Sequence, residues 1–179
     1  MNQQSPLVIL GVPASPYTRK MLAYLRYRNV SYRCIYGDAR GYLLKNKLEI
    51  PKPPLLPVII MDDESGKHEV ICDSSPIIRR LENSFPERKT LPRNKVLALL
   101  ISLLEDYGDE WITKYMFHYR WHHVPDIKNA ENLLPVYSNM RSSDKEIRAT
   151  GKFFSKIQIE RLWVVGSSDK TAKIIGIEF

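Results

Sequence analysis

Apolar residues follow strand-like rhythms over roughly the first half of this chain and helical ones beyond it. Leu7 to Val12 is a nearly continuous apolar run and predicts a buried strand. From Tyr17 to Arg28, Met21, Leu22 and Leu25 recur at helical spacing with Arg and Lys between them. Val30 to Tyr36, β-branched or aromatic at several positions and closed by Gly37-Asp38, predicts a second strand. The result is a β-α-β opening, for which a right-handed parallel crossover is expected. Residues 39 to 54 predict a short irregular helix and a proline-rich loop, Pro51-Lys52-Pro53-Pro54. Runs at about 57–62 and 68–72 flank Asp62-Asp63-Glu64-Ser65-Gly66 and predict an antiparallel hairpin, succeeded by a helix from Pro76 to about Asn83.

Ser84 to Pro92, with Pro86 and Pro92, reads as a linker. Beyond it Val96, Leu97, Leu100, Ile101 and Leu104 make an apolar stripe on a helix expected to run on through Trp111 and Tyr115 to about Trp121. Two further helices are expected at 126–137, with Pro135 interrupting or ending it, and at 144–165. The organisation is therefore a domain over 5–84, a linker over 85–92 and a helical domain over 93–179.

Composition narrows the class. With 179 residues and 44% hydrophobic content the chain is expected to be globular. No run approaches the ~20 apolar residues of a membrane span, and the N-terminus lacks a signal-peptide pattern, so a cytoplasmic protein without membrane attachment is expected. The net charge of +7 raises the question of a nucleic-acid partner. Arg19, Lys20, Arg26, Arg28, Arg33, Lys45, Lys47 and Lys52 are scattered over turns and helix faces, which points away from nucleic acid and leaves room for a small anionic ligand. Cys34 and Cys72 form no C-x-x-C pair and read as small strand hydrophobes, so neither a disulfide framework nor a metal is implied.

The most informative stretch is 55–78. Pro57 opens a strand, where its missing N–H is least needed. Asp73-Ser74-Ser75-Pro76 then leads into a helix, with Pro76 suited to its first position, and the free N–H groups of that helix start favour a carboxylate or phosphate. Taken singly, Ser74 and Ser75 are ordinary caps and Pro57 a turn residue. Taken together with Ser15-Pro16-Tyr17-x-Arg19-Lys20 after the first strand, Leu56-Pro57-Val58 and Asp73-Ser74-x-x-Ile77-x-x-x-Leu81 resemble the N-terminal domain of the glutathione S-transferase family, over residues 7 to 84.

The resemblance implies an α/β thioredoxin-like N-terminal domain followed by an all-α C-terminal domain, here incomplete. It also implies a glutathione site: Leu56, before a cis Pro57, pairs its backbone with the cysteinyl part, and Asp73 and Ser74 hold the γ-glutamyl end. Relatives place a basic residue shortly before that proline for the glycyl carboxylate; this chain has Leu55-Leu56, with Lys52 the substitute. Ser15, preceding a helix start, is the candidate that holds the glutathione sulfur as thiolate, and Tyr17 and Thr18 are substitute hydroxyls. A serine where thiol-exchanging relatives carry cysteine argues against disulfide chemistry. The implied reaction is glutathione transfer to a small electrophile, a detoxification chemistry, in a homodimer; the alternative is a non-catalytic glutathione-binding or protein-interaction module.

In the helical half, Tyr107, Trp111 and Tyr115 could line an apolar co-substrate pocket or simply pack in the core. His118, His122 and Asp126 are spaced like a nominal metal triplet, but Pro125 should end the helix first. Glu105, Asp106, Asp109 and Glu110 read as a solvated face. No buried Ser/Thr-x-x-Asp cap of the family's later helix appears after Arg93, Ser143-x-x-Glu146 being a generic capping box, and the apolar end Ile174 to Phe179 reads as interrupted. A C-terminally shortened member is therefore the expectation.

Overall fold

The computed structural model describes residues 6–63 and 65–175, in two compact units that meet at Asn94 and Lys95. The first is built on a four-stranded sheet in the order β2-β1-β3-β4. Strand β1 (Leu7–Gly11) runs parallel to β2 (Tyr32–Tyr36) and antiparallel to β3 (Val58–Asp62), which pairs antiparallel with β4 (His68–Cys72). Helices α1 (Pro16–Arg28) and α3 (Ser74–Ser84) cover one face, and α2 (Ala39–Lys45) packs on the other. Ile9 and Ile59 lie with Met21, Leu25, Ile77 and Leu81 in one core, while Leu10, Val58 and Ile60 lie with Leu43 in the second. Burial on both faces is why β1 and β3 read as unbroken apolar runs rather than alternating ones. This is the thioredoxin-like arrangement expected from the sequence.

The third helix begins at Ser74, two residues earlier than expected. Pro76 then occupies the third helical position, still within the first turn, where N–H groups have no intrahelical acceptor and a missing one costs nothing. Ile77 N–H makes the first helical bond, to Asp73 O at 3.3 Å.

Residues 85–92, expected as a linker, are tied to the first unit by a buried ion pair. Arg28 and Glu82 are each 3% exposed. The Arg28 guanidinium donates to Glu82, to the Tyr24 hydroxyl and to Phe85 O, and its Nε donates to Glu87 O at 3.0 Å. Glu82 also accepts from Thr90 N–H at 3.0 Å and Thr90 Oγ1 at 2.8 Å. Both ions are thus multiply hydrogen-bonded, which offsets part of the cost of burying a charge pair, although Glu82 Oε2 has no partner among the described residues. Nothing in residues 84–92 taken locally announces this, because the partners Tyr24 and Arg28 lie on α1.

The second unit is helical: α4 (Lys95–Asp106), a π-helical turn (Tyr107–Ile112), α5 (Thr113–His122), α6 (Val124–Ser138), α7 (Asp144–Ile159), a 3-10 turn (Leu162–Val165) and α8 (Asp169–Ile175). The π turn breaks the phase of the helix expected to run evenly from 96 to 121. The final long helix stops at Ile159 instead of 165, and the chain winds into the 3-10 turn. Pro135 neither interrupts nor ends α6, which continues to Ser138. Its missing N–H leaves Glu131 O without the usual helical donor. Gly151 of α7 lies against that carbonyl: a Cβ there would meet Glu131 O at 2.1 Å, so only glycine permits the α6–α7 approach. Ser143 and Glu146 form the reciprocal capping box. No residue of α4 is buried, and Val96 and Leu104 are more than two-thirds exposed. The apolar end expected at 174–179 lies largely outside the described residues, as does Glu64 of the hairpin.

Burial pushes the Glu82 carboxyl up, but the Thr90 N–H and hydroxyl, the Tyr24 hydroxyl and the Arg28 charge outweigh it, and its pKa falls below the ordinary 4.5. A depressed carboxylate pKa adds stability that is complete above the unfolded-state value and is lost as pH falls through the folded one. Urea denaturation from pH 7 downward is expected to show that loss beginning near 4.5 in the wild type. Glu82→Leu, which leaves Arg28 buried and unpaired, should be destabilised by about 3 kcal/mol at pH 7 and should have a flatter acid limb. An unchanged acid limb would contradict the role of this pair.

Candidate functional site

The sheet register gathers the candidate residues at one end. Leu10 faces Val58, and Val58 faces Cys72, so the C-terminal end of β1, the start of β3 and the end of β4 are neighbours. Ser15 follows β1, Leu56-Pro57 precedes β3, and Asp73-Ser74 follows β4. Asp73 N–H donates to Pro57 O at 3.1 Å, and Lys20 Nζ of α1 donates to Ser75 Oγ of α3 at 3.4 Å, pinning these junctions together.

Ser15 is the N-cap of α1, in extended conformation, its Oγ accepting from Thr18 N–H at 3.2 Å. Its hydroxyl proton has no acceptor among the described residues, so the group can donate outward while it caps. The close seating of α1 on the sheet depends on Gly11, where a Cβ would lie 2.5 Å from Thr18 Oγ1. Thr18, offered by the sequence as a substitute hydroxyl, is fully buried and accepts from Val12 N–H at 3.4 Å, so it cannot serve. Tyr17 is partly exposed on the first turn of α1. The Gly11–Thr18 contact was missed in the sequence, although a glycine closing an apolar strand is the kind of signal that marks close approach.

The Leu56–Pro57 bond is cis, and Pro57 is fully buried. Leu56 makes no backbone hydrogen bond among the described residues, leaving an N–H and a C=O for an extended partner. Asp73 sits at φ 72°, a conformation ordinary side chains avoid, and its carboxylate does not cap α3. The Ser74 hydroxyl is buried without a hydrogen-bond partner among the described residues. An open helix start, an uncommitted carboxylate and an unsatisfied hydroxyl are thus adjacent. Lys52 is exposed on the loop, and its bond to Pro53 is cis.

In the second unit Tyr107 and Trp111 are about half exposed and Tyr115 is partly buried; the Lys114 ammonium stands 4.8 Å from the Trp111 ring centre. His118 is buried, stacks on His122 at 4.5 Å and lies 2.7 Å from Ser167 Oγ through Nδ1. Burial, then the charges of His122 and His123, lower its pKa below 6.5, as befits a neutral packing imidazole. Asp126 lies beyond the helix break, on α6, and among the described residues no three His, Cys, Asp or Glu side chains stand where they could hold a metal ion. No described helix is long and apolar enough to cross a membrane.

Residues 9–89 match the family described as glutathione S-transferase, N-terminal domain. The likeness is to that family's N-terminal domain, over less than half of the chain. Glutathione S-transferase U8 of Arabidopsis thaliana is 23% identical over 152 residues, covering 82% of this chain and 63% of that protein, so the chain spans less than two thirds of this relative. Among solved structures, glutathione transferase Omega 1C from Trametes versicolor superposes with a TM-score of 0.52 at 11% identity, covering 97% of this chain and 96% of the other. A glutathione S-transferase from Rhodospirillum rubrum F11 gives 0.51 at 17% identity, over 84% of this chain and 62% of the other. These superpositions speak for the fold.

Asp73 offers a measurable mark of backbone strain. Asp73→Gly relieves the positive φ and is expected to raise stability by about 1 kcal/mol, read by thermal or urea unfolding. A loss of stability would mean that the carboxylate has a structural partner instead.

Proposed function

We propose that this chain is a glutathione transferase that binds glutathione at the β1–β3–β4 end of its sheet and stabilises the thiolate for attack on a small electrophile. The observation that carries the reading is the gathering there of the Ser15 cap hydroxyl, the open Leu56 backbone and the Asp73-Ser74 start of α3. The γ-glutamyl amino group pairs with Asp73 and its carboxylate takes the helix start near Ser74. The cysteinyl backbone adds to Leu56 as an extended strand would, and Lys52 reaches the glycyl carboxylate. Ser15 donates to the sulfur, and the positive end of α1 adds to that stabilisation, lowering the thiol pKa. The sulfur then bonds to the electrophilic carbon, the leaving group departs with its electron pair, and the thiol proton has already passed to solvent. Tyr107, Trp111 and Tyr115 are proposed for the electrophile, and the role is that of cytoplasmic detoxification in a homodimer.

A second reading is a glutathione-binding module without turnover. It is favoured by the exposure of Tyr107 and Trp111, the residues proposed for the electrophile, each of which is about half exposed.

Ultraviolet titration of the thiolate band of bound glutathione separates the two. A transferase should lower the thiol pKa by about 1–2 units from its ordinary ~8.5, and Ser15→Ala should return it while binding persists. Binding with no thiol shift removes the catalytic claim and leaves the module; no binding removes both. For the homodimer, sedimentation equilibrium should give twice the 20.8 kDa chain mass, and a monomer at all concentrations refutes it.

A further inference from the structure

Strand β2 is the outer strand of the sheet, paired with β1 and with no second neighbour among the described residues. Leu7 N–H donates to Ser31 O and Gly37 N–H donates to Gly11 O, each at 3.2 Å. By the alternation of a parallel ladder, Arg33 and Ile35 also turn their backbone groups to β1, while Tyr32, Cys34 and Tyr36 turn theirs outward. Such an edge is a template for another strand.

Beside it lies a cavity of about 310 Å³ lined by Pro13, Thr18, Arg19, Leu22, Arg26 and Tyr36. Arg19 Nε donates to Pro13 O and Arg26 Nε to the Tyr32 hydroxyl, each at 3.1 Å. Both side chains are thereby held in place, yet neither guanidinium has an ion-pair partner among the described residues. Seven positions apart on α1, they lie roughly 10.5 Å apart along nearly one helix face. Burial holds the nearby Cys34 thiol and Tyr36 phenol above their ordinary pKa values, so neither supplies an anion to Arg26 at neutral pH. The edge and the cavity are adjacent because Tyr36 ends the strand and lines the pocket.

We propose that the β2 edge and the Arg19–Arg26 cavity form a docking surface for an extended acidic segment of another protein, which adds to β2 as a strand and presents carboxylates to the two guanidiniums. Charge complementarity selects the acidic side chains, and the outward N–H and C=O groups at Tyr32, Cys34 and Tyr36 select a peptide backbone over a small anion. Side chains on one face of an added strand recur every ~6.7 Å, so carboxylates two or four residues apart fall within reach of both long arginines. The surface lies along the β2–α1 side of the first unit and does not depend on glutathione binding.

The test is fluorescence anisotropy of the full chain with a labelled heptapeptide of alternating glutamate and valine, its lysine–valine counterpart and its fully N-methylated form. The acidic peptide is expected to bind and the basic one not to. Arg19→Gln with Arg26→Gln should weaken binding about five- to tenfold, two exposed pairs together, and N-methylation should weaken it at least about tenfold by removing the backbone donors. Both arginines are exposed, so the double variant is expected to retain the wild-type far-ultraviolet circular dichroism. The N-methylated peptide tests the strand contact without altering the protein. Absence of binding, undiminished binding by the double variant or the N-methylated peptide, or equal competition by a small dicarboxylate such as glutarate each overturns the proposal.

Discussion

The antiparallel register of β3 between β1 and β4 is the constraint on which the fold of the first unit and its candidate site rest. Leu10 opposite Val58 and Val58 opposite Cys72 place three chain junctions at one sheet end, although they are separated by tens of residues in sequence. A slip of one residue would exchange the two cores, sending Ile59 to the face of Leu43 and Ile60 to that of Met21. Burial of both faces therefore fixes the register, and the register fixes the site. The hydrophobic effect here sets position as well as stability.

Around that frame, polar groups are used in two ways. The Arg28–Glu82 pair, with Tyr24 and Thr90, is bonded from several sides through Glu82 Oε1, while Glu82 Oε2 has no partner among the described residues, and it fastens 85–92 to the first unit. At the other end of α3 the polar groups are left open: Asp73 does not cap, and the Ser74 hydroxyl has no partner among the described residues. One end of the same helix is tied by the protein's own charges, and the other carries the open groups on which the proposed glutathione site rests. The outward groups of β2 and the two unpaired guanidiniums on α1 add a third polar surface, on a different side of the sheet.

The second unit shows how local pattern misleads when a helix is not regular. The stripe from Val96 to Leu104 is a sound indicator of helix, yet none of its residues is buried, and the π turn at Tyr107–Ile112 alters the phase before α5 begins. Pro135 was expected to break α6, but it sits where Gly151 of α7 meets the carbonyl whose donor it removes. Glycine and proline here describe one contact between two helices, which neither position reveals alone.

By its own pattern the sequence determined the β-α-β opening, the hairpin, the helix after Asp73-Ser74 and the helical character of the second unit, because two-faced burial and 3.6-residue periodicity are written locally. It also carried the three short motifs that resemble the family, and hence Ser15, Leu56, Pro57, Asp73 and Ser74 as candidates. What only the tertiary structure decided was which groups are already used. Thr18 is lost to the sheet, Ser15 retains a free proton while capping, Asp73 takes a left-handed backbone, and Arg28 holds a segment that reads as linker. Those outcomes depend on partners distant in sequence, and no local pattern encodes whether a hydroxyl or a charge has found one.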